Sequence, residues 1–184
     1  LNISYRDYHF VPVFWMASED HDFNEVNHLN LFGDKLVWNQ NRKGAVGDIS
    51  TESIAEIFPI LQKMLGSSPE AQKLLNLFTC SYLEHQNLAS ATRFLVDELF
   101  SKYGLLVLDA ADPRLKKLAI PIIQKDILLQ GHQKMIEESS DGLPKSQAHV
   151  RPINFFYMKS GLRERIEKRG SNFYVLHTDI QFSA

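Results

Sequence analysis

The chain has 184 residues, 44% of them hydrophobic, and a formal charge of −2 from 20 Lys and Arg against 22 Asp and Glu. These figures exclude a disordered chain, supply enough apolar mass for a buried core, and offer no positive excess to attract a nucleic acid. The longest apolar runs reach only about half of the roughly 20 residues a bilayer crossing takes, so no membrane partner is expected. The single cysteine, Cys80, excludes an internal disulfide and a multi-cysteine zinc site and is compatible with a reducing, cytoplasmic setting.

Phe10 to Ala17 is a continuous apolar run with β-branched and aromatic residues, which predicts a strand buried on both faces. Pro12 cannot donate to a ladder and belongs near that strand's start. Two short apolar runs around Gly33-Asp34, from Leu29 to Trp38, predict a hairpin. Ile54, Ile57, Phe58, Leu61, Met64 and Leu65 then fall on one helical face, which Pro59 kinks or divides. Ser68-Pro69-Glu70 opens another helix with a cap, a first-position proline and an acid at the positive dipole end. A third helix runs from about Asn87 to Tyr103 and closes at Gly104.

Leu105 to Leu108 predicts a second buried strand, and Asp109-Ala-Ala-Asp112-Pro113 supplies a cap and first-turn proline for a helix reaching about Gln130. Helix, strand and helix in that order predict an α/β fold with crossovers onto a parallel sheet. Beyond Ser139 a loop with Gly142 and Pro144 leads to alternating segments near 153–158, 162–167 and 172–176, separated by glycine turns, an antiparallel β-meander. The expected division is therefore 1–140 as part of a core domain and 141–184 as a truncated connecting region. Near the end, Thr178 or Asp179 could cap a helix cut off after about a turn; with Leu at position 1, this predicts a piece of a longer protein.

The densest polar cluster, Ser18-Glu-Asp-His-Asp-Phe-Asn-Glu-Val-Asn-His28, directly follows the first buried strand, and ligands in open α/β sheets gather outside the carboxyl ends of strands. Glu19, Asp20, Asp22 and Glu25 supply acceptors or general bases, His21 and His28 can exchange protons near neutrality, and Asn24 and Asn27 can orient a polar substrate. The plainer reading is a solvated loop whose Ser18 or Asp20 caps a helix. A metal reading rests only on the seven-residue spacing of His21 and His28, which matches no familiar zinc signature, and no metal site is assigned.

Asp109 ends the second strand. If the two strands are parallel neighbours, it stands at the same edge as Glu19 to Asp22, where it could receive a hydroxyl or an amine; acids also end strands for turn chemistry alone. A third constellation is Gln147-Ala-His149-Val-Arg151-Pro-Ile-Asn154, which, if extended, sets Gln147, His149 and Arg151 on one face to meet a carboxylate or phosphate, or else forms a solvated edge strand. Trp15, Trp38 and Cys80 read as packing residues. No glycine-rich dinucleotide or Walker loop is present in these residues.

Val11 to His28 resembles the signature of the BshC family of bacillithiol biosynthesis, the cysteine-adding enzymes. Gly104 to Pro113 with Leu115-Lys-Lys-Leu118, then Gln147-x-His149-x-Arg151-x-x-Asn154-x-Phe-Tyr157 and Gly161 to Ile166, are similar to further segments of that family. The resemblance implies a Rossmann-like parallel sheet core with flanking helices, in an enzyme that joins cysteine to glucosaminyl-malate. It also implies a long helical coiled coil and a homodimer for the full-length protein, and an incomplete enzyme here, without the family's upstream glycine-bearing segment. Activation of a carboxylate makes ATP with magnesium the candidate cosubstrate. Asp20, His21 and Glu19 would then be catalytic, with Asp22, Asn24, Glu25, Asn27, His28, Asp109, His149, Arg151 and Asn154 binding substrate. A metal-assisted hydrolase and a non-catalytic nucleotide- or precursor-binding module are the competing readings.

Overall fold

The computed structural model describes residues 1–40, 43–140 and 150–183. It divides into two units, Leu1–Asp112 and Pro113–Ala184. The change of texture near 140 adjoins residues 141–149, which lie outside the described residues.

In the first unit β1 (Val13–Met16) and β4 (Leu106–Asp109) form a parallel pair with Met16 opposite Asp109. Pro12 stands just before β1, where it needs no donor of its own: its carbonyl accepts the Leu106 N–H at 3.0 Å. The expectation of burial on both faces is overturned. Met16 is buried, but Val13, Phe14 and Trp15 are exposed, Trp15 at 60%. Among the described residues β1 pairs with β4 alone, and none covers the side that carries Trp15. Trp15 is thus no packing residue, whereas Trp38, at 4% exposure, is one.

The hairpin forms as expected, with β2 (His28–Leu31) antiparallel to β3 (Asp34–Val37) and Gly33 at φ +93° in its turn. The stripe from Ile54 divides at the proline: a 3-10 segment, Glu52–Ile57, hands over to α2 (Phe58–Leu65) with Pro59 in its first turn. In α3 (Pro69–Tyr82) Ser68 caps through Ala71 N–H at 3.1 Å, and in α4 (Leu88–Phe100) Asn87 caps through Ser90 N–H at 2.9 Å. A last 3-10 turn, Ser101–Tyr103, ends at Gly104 in the left-handed region and turns the chain into β4. α4 packs against α3, β4 and a short 3-10 turn at Val46–Asp48. Phe23, Trp38, Val46, Ile49, Ile54 and Leu88 form the core, Phe23 and Trp38 edge to face at 5.2 Å.

The second unit begins with α5 (Pro113–Leu129), which carries Pro121 in its interior, and α6 (His132–Ser140), which the sequence reading does not anticipate. Four antiparallel strands follow in the order β5 (Phe156–Lys159), β6 (Leu162–Arg169), β7 (Asn172–Val175) and β8 (Gln181–Ser183). This is the expected meander, with Gly161 and Gly170 at positive φ in its tight turns. The C-terminal expectation fails: Thr178 and Asp179 open no helix. Thr178 Oγ1 donates to Val175 O and accepts from Ile180 N–H, closing a turn that returns the chain as β8.

Candidate functional site

The parallel pairing of β1 and β4 carries both chains to one carboxyl edge, and Asp109 and the Ser18–His28 loop meet there. The buried Ser18 hydroxyl donates to Asp109 Oδ1, which also accepts the Ala111 N–H at 2.9 Å. Asp109 therefore does two things: it shapes the turn after β4 and ties that turn to the loop after β1. The condition set by the sequence, that the strands be parallel neighbours, is met.

The loop is pinned from below. Ser18 O accepts the Gly47 N–H at 2.8 Å and Asp20 O the Val46 N–H at 2.6 Å, so the 3-10 turn at Val46–Asp48 braces the backbone that carries the acids. A Cβ on Gly47 would lie 2.7 Å from Ser18 Cβ and 2.9 Å from Ser18 O. Only glycine lets these two segments approach so closely. Beneath Ser18 opens a cavity of about 400 Å³ lined by Phe14, Met16, Val46, Tyr82 and Leu88 among others. Burial pushes the Tyr82 phenol above its usual value, and a hydrogen bond with Thr92 draws it part of the way back.

Above the brace, Asp20 and His21 form a local pair. Asp20 Oδ1 accepts the His21 N–H at 2.6 Å and lies 3.1 Å from His21 Nδ1, with both side chains largely accessible. A carboxylate on Nδ1 orients the imidazole and leaves Nε2 as the atom to exchange a proton. Glu19, half-buried, lies beside them in the chain. Asp22 caps the four-residue α1 (Phe23–Val26) by accepting the Asn24 N–H at 3.1 Å, while Asn24 and Glu25 are exposed. The helix is too short to stack His21 over His28. His28 instead begins β2, its Nδ1 3.2 Å from Asn27 Oδ1, and Asn27 O holds the Trp38 N–H at 2.7 Å. Asn27 and His28 line a separate, mostly apolar cavity of about 160 Å³ with Trp38, Phe58 and Tyr82. The eleven-residue cluster thus resolves into a Ser18–Asp22 part at the strand edge and an Asn27–His28 part at the hairpin.

Arg151 and Asn154 belong to the second unit; His149, with Gln147, lies outside the described residues. The guanidinium carbon of Arg151 lies 5.8 Å from the Phe156 ring centroid, on which Arg163 stacks at 3.8 Å. The Asn154 N–H donates to Asp126 Oδ2 at 3.2 Å, and His132 Nδ1 lies 2.5 Å from Asp126 Oδ1. Sequence reasoning missed this buried carboxylate and its histidine, and it missed Gly47. The signal for Asp126 was slight, an acid beside Gln124 and Lys125 between Ile122-Ile123 and Ile127-Leu128-Leu129; none exists for Gly47, whose partner is distant in the chain. Among the described residues no three of His, Cys, Asp and Glu converge as a metal-holding group, and no helix is long and apolar enough to cross a membrane.

A parallel strand pair flanked by helices, with a polar loop and an acid at its carboxyl edge, is the arrangement that places a ligand site in an open α/β sheet. The family model for bacillithiol biosynthesis BshC, N-terminal Rossmann-like domain, matches residues 1–184, and the chain belongs to that family. It is 47% identical to a protein of Flavobacterium psychrophilum, 44% to one of Flavobacterium johnsoniae and 39% to one of Christiangramia forsetii, each named "Putative cysteine ligase BshC". These matches cover 100% of this chain but 35%, 35% and 36% of the relatives, so the chain spans about a third of their length.

Proposed function

We propose that this chain carries the reaction edge of a cytoplasmic ligase that adds cysteine to glucosaminyl-malate in bacillithiol biosynthesis, working in the full-length homodimer. The observation that carries the reading is the convergence of Asp109 and the Ser18–Asp22 loop at the carboxyl edge of a parallel pair, in a chain of the BshC family. The amine of the sugar attacks the activated carboxyl carbon of cysteine; a C–N bond forms, the bond to the activating group breaks, and the nitrogen loses a proton. His21, oriented by Asp20, takes that proton at Nε2. Glu19, Asp22 and Asp109 hold the cysteine ammonium or sugar hydroxyls, and Asn24, Glu25, Asn27 and His28 add polar contacts along the loop. His149 and Arg151, with Asn154, meet the malate carboxylates. ATP with magnesium would be the source of the activation; the described residues present no cluster to hold the metal, and no step is assigned to it.

The test is mass-spectrometric detection of bacillithiol after the full-length protein is incubated with cysteine, glucosaminyl-malate and magnesium ATP. Product from the parent, reduced roughly 100-fold or more in Asp20→Ala or His21→Ala, is expected for a general base and its orienting partner. No product from a folded parent sinks the ligase reading in favour of a binding module; near-normal turnover in both variants removes Asp20 and His21 from catalysis.

A further inference from the structure

The second unit holds a cavity of its own, and its sheet explains why. β6 changes partner along its length: Leu162 to Arg165 pair with β5, and Ile166 to Arg169 pair with β7 on the opposite side. Continuing the first register would set Ile153 opposite Lys168, but β5 begins only at Phe156. A space of about 280 Å³ remains between the second half of β6 and the chain entering β5, lined by Gln130, Arg151, Ile153, Arg165, Glu167 and Lys168 among others.

Three cations, the half-buried Arg151 and the exposed Arg165 and Lys168, stand in a lining that is otherwise mostly apolar. Glu167 is engaged by Arg169 at 3.2 Å, which leaves Arg151, Arg165 and Lys168 in excess. Arg151 lies 5.8 Å from the Phe156 ring centroid, on which Arg163 stacks at 3.8 Å, and Lys168 lies 5.7 Å from that of Phe173. The wall is built, too: Asp126, only 1% exposed, fixes the backbone at Asn154, one residue beyond the lining Ile153. Asn154 Nδ2, buried without a hydrogen-bond partner among the described residues, adjoins the lining through Ile153 and is not part of it. The volume falls below the roughly 300–1,000 Å³ of ordinary ligand pockets, which favours a compact anion over a nucleotide.

We propose that this cavity binds a small dianion, a dicarboxylate or a phosphate, with Arg151 and Arg165 as forked donors and Lys168 as a point charge. The proposal deepens the role given to Arg151 and rests on the ligase reading only in making a dicarboxylate the first choice. Calorimetric titration of the full-length protein with malate and with inorganic phosphate, at fixed ionic strength, tests it without turnover. Saturable binding of malate is expected, weakened at least about tenfold in Arg151→Gln and in Arg165→Gln and unchanged in Lys117→Gln, an exposed cation on α5. Phosphate binding with the same variant pattern, and none of malate, supports the anion cavity and assigns phosphate as its occupant. Should circular dichroism show an arginine variant unfolded, Lys168→Gln carries the same test. Binding of neither anion, or binding that the cavity variants leave unchanged or that Lys117→Gln weakens equally, overturns the proposal. Malate bound in this cavity by a protein that makes no bacillithiol keeps the cavity and rejects only the ligase reading.

Discussion

Ser18 and Asp109 stand 91 residues apart in the chain and share a hydrogen bond across the ends of two parallel strands. The bond joins the loop after β1 to the turn after β4. Because Ser18 is buried, losing its acceptor strands a hydroxyl away from water. Asp109→Ala should destabilise the protein by about 1–3 kcal/mol and Ser18→Ala by less, since the latter leaves Asp109 its Ala111 N–H. Urea denaturation of the two variants measures the difference; an Asp109→Ala protein as stable as the parent shows that the bond does not hold the edge together.

Gly47 makes a sharper structural claim. The contacts its missing Cβ would meet are the Cβ and backbone of Ser18, which cannot swing aside as a flexible side chain would. Gly47→Ala should cost about 1–3 kcal/mol through overpacking and loosen the brace under Asp20. Gly131→Ala, with nothing within 4 Å of the added methyl, serves as the control and should be near neutral. Equal melting temperatures for the two variants would contradict a steric role for Gly47.

Local chemistry made much of this legible. Ser68, Asn87 and Gly104 act at the helix ends their side chains and backbone suit, and Asp109 lies at the edge that parallel strands require. What stayed hidden is tertiary. A Thr-Asp pair satisfies backbone groups at a turn as readily as at a helix start, so the decision at Thr178 belonged to the pairing of Phe182 with Phe173, not to the cap residues. Likewise the apolar run of β1 reports how the strand could be buried, while Trp15 records how little covers it in this chain.

Asp126 anchors the second unit with both carboxylate oxygens engaged, one by His132 and one by Asn154 N–H. Asp126→Ala should therefore cost about 2–4 kcal/mol, because it removes the one carboxylate that both the part-exposed His132 and the Asn154 N–H use. Hydrogen exchange gives the local readout: the Asn154 amide should lose protection in Asp126→Ala and retain it in His132→Ala. Protection unchanged in the aspartate variant would show that the contact does not hold Asn154.

Tyr82 predicts a dependence on alkaline pH. Its phenol ordinarily loses its proton at 10.0, and burial shifts that ionisation upward in the folded protein. Between the unfolded and folded values the unfolded chain has given up the proton while the native protein still holds it. Stability from this group is thus fully present below pH 10.0 and is lost as pH rises through the folded value. Tyr82→Phe removes the ionisation and keeps the ring that lines both cavities of the first unit. In urea denaturation at about pH 8.5 and about pH 10.5, the parent should lose more stability between the two conditions than Tyr82→Phe. Parallel losses would place the phenol in water in both states, and the cavity beneath Ser18 would then be wetter than its apolar walls imply.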